Sequence, residues 1–285
     1  MNWKTALKAC LSALILYLVI RSIDTRHLLE VFRRVNPVWL AWAAGWFVFS
    51  KILGAFRYND LLKTDHIRLK DRQQLQLYWL GMYYNLLLPG GISGDGYKIK
   101  VLMDAFKRPF RRLFSITLYD RISGVIALAQ LALLLALAIA QLQAWTGLLA
   151  GVFVFSIPAS KILFDRMVGA GSRIWAHTSL QSLGVQLTQS IAILGIIFAL
   201  RQPEQWLGYS LVFLVSSVVA MLPFTIGGAG ARELTFLWGA RILDLNAEHA
   251  VGIAFIFYLV STAVALYGMR YSFSQIIPSI GNHTS

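Results

Sequence analysis

Charge is scarce in this sequence. Only 14% of its 285 residues are Asp, Glu, Lys or Arg, against roughly 25% in a soluble globular domain. Acid is scarcer still: 13 Asp and Glu stand against 26 Lys and Arg, giving a net charge of +13. Cysteine is nearly absent. The single Cys10 lies in an apolar run, which excludes an internal disulfide framework and a cysteine-built metal site, and it reads as a small buried hydrophobe. The five histidines (His27, His66, His177, His249 and His283) are scattered with no i, i+4 pair, so no helix face offers a metal site. No G-x-S-x-G or Ser/His/Asp order appears. Gly91 to Lys98 comes close to a nucleotide-binding loop, but Tyr97 separates Gly96 from the lysine, and no soluble domain is present to hold a nucleotide. ATP hydrolysis is excluded, and no cofactor is expected.

What the sequence has in quantity is hydrocarbon. Hydrophobic residues make up 57% of the chain and mean hydropathy is +0.62. The apolar residues come in long blocks, and about 20 in a row can span a bilayer as a helix. Full spans are expected at about 5–20, 38–56, 113–138, 145–164, 180–200 and 247–268. The first follows Lys4 and Lys8 like a secretory signal but lacks a small-x-small cleavage site, so it reads as an uncleaved span. Between the first two spans, Leu28, Leu29, Phe32 and Val35 recur at helical spacing among charges, as in a helix lying at the interface. The strong basicity is dispersed between apolar segments rather than gathered in a domain, which favours a membrane surface over nucleic acid.

Two further apolar segments, about 74–88 and 206–224, run into glycine-rich breaks, and shorter mixed segments resume at about 93–105 and 231–243. If both are re-entrant hairpins, most Lys and Arg collect on one side, among them Arg57, Arg68, Lys98, Lys100, Arg111 and Arg112. By the positive-inside rule that side is the cytoplasm and holds both termini. The expected fold is an all-α polytopic membrane protein of about six full spans plus two re-entrant, glycine-broken helical hairpins. It forms a single transmembrane domain over 1–285, with halves 1–112 and 113–285. Three spans separate the hairpins, so they enter from opposite faces, as in an inverted repeat whose broken helices meet at the midplane.

The breaks carry the chemistry. "LPGGISGDG" from Leu88 and "LPFTIGGAGARE" from Leu222 each join Leu-Pro to glycines and then charge. Unpaired backbone groups are not tolerated in hydrocarbon, so such breaks must pack in protein or line a wet cavity. Helix starts there offer free N–H groups and a positive dipole end to a phosphate or carboxylate. Ionisable residues at membrane depth are costly and mark function by default. The candidate substrate-binding set is Pro89, Gly90, Gly91, Gly94, Asp95, Lys98, Asp120, Arg121, Gly227, Gly228, Gly230, Arg232 and Glu233, with Asp95 foremost. The structural alternatives are glycines that only permit close helix packing, an internal Asp120–Arg121 ion pair, and a Glu233 that only favours a helix start.

In order and spacing, "LPGGISGDGYKIKVL", "YDRISG" and "LPFTIGGAGARELTF" resemble the flippase-like membrane family named for the transmembrane region of bacterial lysylphosphatidylglycerol synthetase. The likeness covers nearly the whole chain. Pro89, Gly90, Gly91, Gly94 and Asp95 fall on the first motif. Asp120, Arg121 and Gly124 fall on the second, and Pro223, Gly227, Gly228, Gly230, Arg232 and Glu233 on the third. Ser93 stands where another glycine is expected, and Lys98 near an expected arginine. The resemblance implies a bacterial inner-membrane protein that moves a polar-headed lipid between leaflets, in a family also associated with surface glycolipid or polysaccharide assembly. The synthetase's soluble aminoacyl-transferring domain is missing from this sequence, so lysine transfer is not implied.

Two functions follow as expectations. The first is a lipid flippase for a phospholipid or polyprenyl-phosphate glycolipid. Its partners would be an anionic-headed lipid and the surrounding membrane, with room for a homo-oligomer or envelope-biosynthesis partners and none for nucleic acid. The second is a membrane enzyme transferring a sugar to or from a polyprenyl-phosphate-linked substrate, with Asp95 or Glu233 as general base. The short, basic loops at about 57–73 and 159–178 leave little space for a second substrate and favour transport.

Overall fold

A computed structural model describes residues 35–87, 93–169, 171–201, 203–221, 230–272 and 276–277. The expected first span and interfacial helix, with Cys10, lie outside the described residues, as do Pro89, Gly90, Gly91, Pro223, Gly227 and Gly228. The described chain is helical throughout, without a strand. Its helices are α1 (Pro37–Lys63), α2 (Asp71–Leu87), α3 (Ser93–Phe106), α4 (Phe110–Leu137), α5 (Thr146–Met167), α6 (Ser172–Ala199), α7 (Trp206–Ala220), α8 (Ala231–Ile242) and α9 (Ala247–Leu266).

Five stretches among them are long and apolar enough to cross a membrane: Pro37–Lys63, Phe110–Leu137, Ala140–Met167, Arg173–Ala199 and Ala247–Tyr271. They coincide with five of the six expected spans. Each of the two interrupted segments holds two described helices, α2 and α3 or α7 and α8, with α4, α5 and α6 between the pairs. The protein is an all-α polytopic membrane protein.

Local chemistry sets the helix ends. Asn36 caps α1 by accepting the Val38 N–H at 2.9 Å, with Pro37 in the first turn. Asn246 caps α9 in the same way through the His249 N–H at 2.8 Å. α1 extends seven residues beyond the expected end at 56, because its polar final turns have partners. Arg57 is buried against Asp120, and the Asn59 amide exchanges two hydrogen bonds of 3.2 Å with the Leu69 backbone. This corrects one part of the sequence reading. Arg57 and Lys98, both assigned to the cytoplasmic rim, are each only 5% exposed inside the bundle.

The helices enclose two apolar cores. One joins Phe47, Leu128, Ile193, Phe213, Phe236 and Phe257; the other joins Tyr58, Leu62, Leu80, Leu102, Leu113 and Phe164. Along both α1 and α4 the buried polar residues fall between these cores. On α1, Ser50 and Arg57 separate Phe47 from Tyr58 and Leu61. On α4, Asp120, Ser123 and Gly124 separate Ile116 and Tyr119 from Leu128. The polar layer therefore crosses these membrane-length helices within their length, over Ser50 to Arg57 of α1 and Asp120 to Gly124 of α4.

Glycines bring the first hairpin's arms together. A Cβ on Gly94 would overlap the Gly81 carbonyl, so α3 starts in direct backbone contact with α2. α5 lies at the edge: only 11% of its apolar window is buried, and Phe155 is 75% exposed. Such surface suits acyl chains rather than water.

Candidate functional site

The polar layer starts where α3 starts. Asp95, in the first turn of α3, is 4% exposed. One carboxylate oxygen pairs with Lys98 Nζ at 2.7 Å, one helical turn on, and the other with Arg121 Nε from α4. The Lys98 stem lies in the gap that Gly81 leaves, and its ammonium faces the Tyr58 ring at 4.3 Å. The Gly94 amide is already engaged, donating to Asn85 Oδ1 at 2.9 Å across the break.

Asp120 and Arg121 are adjacent in sequence but point to different partners. Arg121 turns to Asp95, while Asp120 takes Arg57 from α1: Nε to Oδ1 at 2.9 Å, with Arg57 Nη2 donating to the Asp120 carbonyl at 3.0 Å. Arg57 Nη1 donates to Ser182 Oγ of α6 at 3.0 Å. Gln186, one turn on, donates to the Gly124 carbonyl at 3.3 Å. Two ion-paired nodes thus tie α1, α3, α4 and α6 together inside the bundle. Neither isolated charge would be tolerable there without its partners.

The second break is built differently. Gly230 has φ +83°, a conformation that favours glycine, and its N–H donates to Glu233 Oε2 at 2.8 Å. This is half of a capping box at the start of α8. Arg232 reaches back to α7, donating to Ser216 Oγ and Ser217 Oγ at 3.2 and 3.1 Å, and stacks near Phe257 with 4.8 Å to the ring centre. Among the described residues no carboxylate forms an ion pair with it.

A cavity of about 170 Å³ lies against these groups. Lys51, Arg57, Lys98 and Arg121 line it with only two carboxylates, Asp95 and Asp120. Asn85 from the end of α2 and Met221 from the end of α7 also line it, so both hairpins reach the same space where they break. Gly124 lines the wall without crowding, where a Cβ would meet Gln186 and Arg57 at ordinary contact distances of 3.6 and 3.7 Å.

A family model described as the lysylphosphatidylglycerol synthase TM region matches residues 5–268. The chain belongs to that family. No curated protein matches it. Of the family-motif residues, Gly94, Asp95, Asp120, Arg121 and Gly124 meet at or beside the cavity. Gly230, Arg232 and Glu233 form the turn that opens α8.

Sequence reasoning missed Lys51 and Arg57. Lys51 sits one residue past the midpoint of Pro37–Lys63, within "WFVFSKILGAF". An ionisable residue inside an expected span was signal enough to mark it. Its ammonium lies 4.2 Å from the centre of the Phe47 ring, and it stands in the repulsive fields of Arg232 and Arg57. No carboxylate pairs with it among the described residues. Arg57 gave a weaker signal, because it follows the apolar run and looks like a positive-inside flank.

Proposed function

We propose that the protein moves an anionic, phosphate-bearing lipid between the leaflets of the bacterial inner membrane, with the headgroup passing through the charged cavity. The observation that carries this reading is the charge of the cavity wall. Four basic side chains face two carboxylates there, in a region walled by apolar cores. Uncompensated charge in low dielectric is costly, and a phosphate or phosphodiester supplies the missing anion. Lys51, on the cavity wall, is the cation best placed to take it, since no described carboxylate pairs with it. Arg232 is not on that wall but is close enough to act on Lys51 electrostatically, and it too lacks a described carboxylate partner.

The hydrocarbon tail stays in lipid while the headgroup crosses. The hairpins α2–α3 and α7–α8 act as halves of an inverted repeat in one transmembrane domain, with both termini in the cytoplasm. The chain carries no nucleotide-binding loop, so movement is downhill or coupled to an ion gradient. Partners are the lipid itself and, in the cell, the machinery that makes or uses it.

Sugar transfer needs a carboxylate free to take a proton. Asp95 is held by two cations, Asp120 by one, and Glu233 by a backbone N–H. This engagement favours carriage of the lipid over chemistry on it.

The test is a lipid profile of cells carrying wild-type, Asp95→Asn or Arg232→Gln protein, with total masses and the fraction open to a membrane-impermeant label. The expected result is unchanged masses and one anionic lipid missing from the labelled outer leaflet in the variants. A vanished product with an accumulated precursor would instead make the protein an enzyme.

A further inference from the structure

A second, larger space lies beside the polar layer. It is a groove of about 410 Å³ between α4, α5 and α6, walled mainly by aliphatic and aromatic side chains such as Ile126, Leu134, Phe153 and Leu183. Leu180 and Leu187 on its rim are 67% and 49% exposed, so it opens sideways toward lipid. Its hydroxyl-bearing stretch is what sets it apart from the other apolar groove, the space of about 560 Å³ between α7 and α8 near Trp238. Ser123 and Ser182 line the α4–α6 groove, and their hydroxyls stand 3.2 Å apart. Behind Ser182 lies Arg57, which donates to it at 3.0 Å and lines the charged cavity. The α4–α6 groove and the cavity therefore share a wall one hydroxyl pair thick.

The dimensions match a lipid lying across that wall. The groove follows α4 from Tyr119 to Leu134, and the part beyond Ser123 rises about 16 Å at about 1.5 Å per residue. Half of a bilayer's hydrocarbon core is about 15 Å. A headgroup at the level of Arg57 would thus have a groove beside it as long as one leaflet is deep.

We propose that the groove between α4, α5 and α6 holds the hydrocarbon tail of the same lipid whose anionic headgroup enters the cavity, with the Ser123–Ser182 wall as the lateral passage between them. The inference rests on the proposed function and adds a tail site and an entry side. A small hydroxyl wall suits the task. It satisfies Arg57 when the site is empty, and it presents little bulk to a passing phosphate. A phosphate at the passage replaces Ser182 as acceptor for Arg57 Nη1, so that this nitrogen keeps an acceptor during entry.

The test is photocrosslinking in intact membranes. A benzophenone side chain replaces Leu187 on the groove rim or, as control, Leu259 on α9, which is 48% exposed. Captured lipid is then identified by mass. The expected result is one anionic, phosphate-bearing lipid class enriched at least several-fold at position 187 over bulk. Position 259 should return the bulk composition. Adding Lys51→Met with Arg232→Gln should bring position 187 to the bulk composition too. If 187 and 259 capture the same bulk mixture while the purified wild-type protein still retains a selected anionic lipid, the groove inference fails and the cavity reading stands. If 187 captures a selected lipid that the double variant leaves unchanged, the groove serves a separate lipid and the shared passage is wrong. If no anionic lipid is selected at 187 or on the purified protein, both readings fall.

Discussion

At the first break, Asp95 is clamped between Lys98 and Arg121, and the neighbouring Asp120 holds Arg57. At the second, Arg232 is held by two serine hydroxyls and an aromatic face, and Glu233 by a backbone N–H. The two breaks begin with the same Leu-Pro and glycine pattern, yet their charges are handled in opposite ways. At one, every cation is paired with a carboxylate. The other keeps a cation whose described partners are all neutral. Lys51 stands between the two, facing the cavity in the field of Arg57 and Arg232. The contrast separates charge used to hold helices together from charge left for a ligand.

The largest expected effect comes from breaking the ion-paired side. Asp120→Asn or Asp95→Asn leaves buried cations without a counter-charge and should cost about 3–5 kcal/mol, read as a large loss of thermal stability in detergent. Glu233→Gln should cost less, about 1.5–3 kcal/mol, because it weakens a single charge-assisted hydrogen bond. Equal losses at the two breaks would remove the contrast.

Next in size is the backbone contact that forms the first hairpin. Gly94→Ala drives a methyl into the Gly81 carbonyl and should cost about 1–3 kcal/mol. Gly81→Ala meets only the Lys98 stem, 2.9 Å away, and should cost about half as much because that side chain can shift. Chemical unfolding of both variants checks the order.

Arg232→Gln and Lys51→Met should leave stability within about 1 kcal/mol of wild type, since each removes a cation without orphaning a described carboxylate. Both should abolish outer-leaflet labelling of the cargo. The smallest effect sharpens the comparison from the other direction. Gly124→Ala adds a methyl at ordinary contact distance and a better helix former, so stability should rise by up to about 1 kcal/mol. It also narrows the cavity beside Arg57, and labelling should fall while the protein grows more stable.

Much of this was legible in the sequence. Long apolar blocks gave five described spans to within about eight residues at each end, and the Pro-Gly clusters lie, outside the described residues, between the paired helices α2 and α3 and α7 and α8. Asp95, Asp120 and Arg121 stood out because ionised groups at membrane depth need a reason. The pairing was not legible. Nothing in "YDRISG" says that adjacent Asp120 and Arg121 face different helices, nor that Asp120 meets a residue 63 positions earlier. Arg57 was hidden for a related reason: a cation just past an apolar run looks like a flank until a partner helix buries it. The end of α1 moved with it, because polar residues extend a membrane helix wherever the bundle satisfies them.

The most direct test of the central claim is the lipid that stays on the purified protein, compared by mass with the bulk membrane extract. The account predicts an anionic, phosphate-bearing lipid enriched on wild type and on Gly81→Ala, but lost from Lys51→Met/Arg232→Gln at unchanged stability. The bulk composition on wild type, or the same selected lipid on the double variant, would contradict a cavity built for an anionic headgroup.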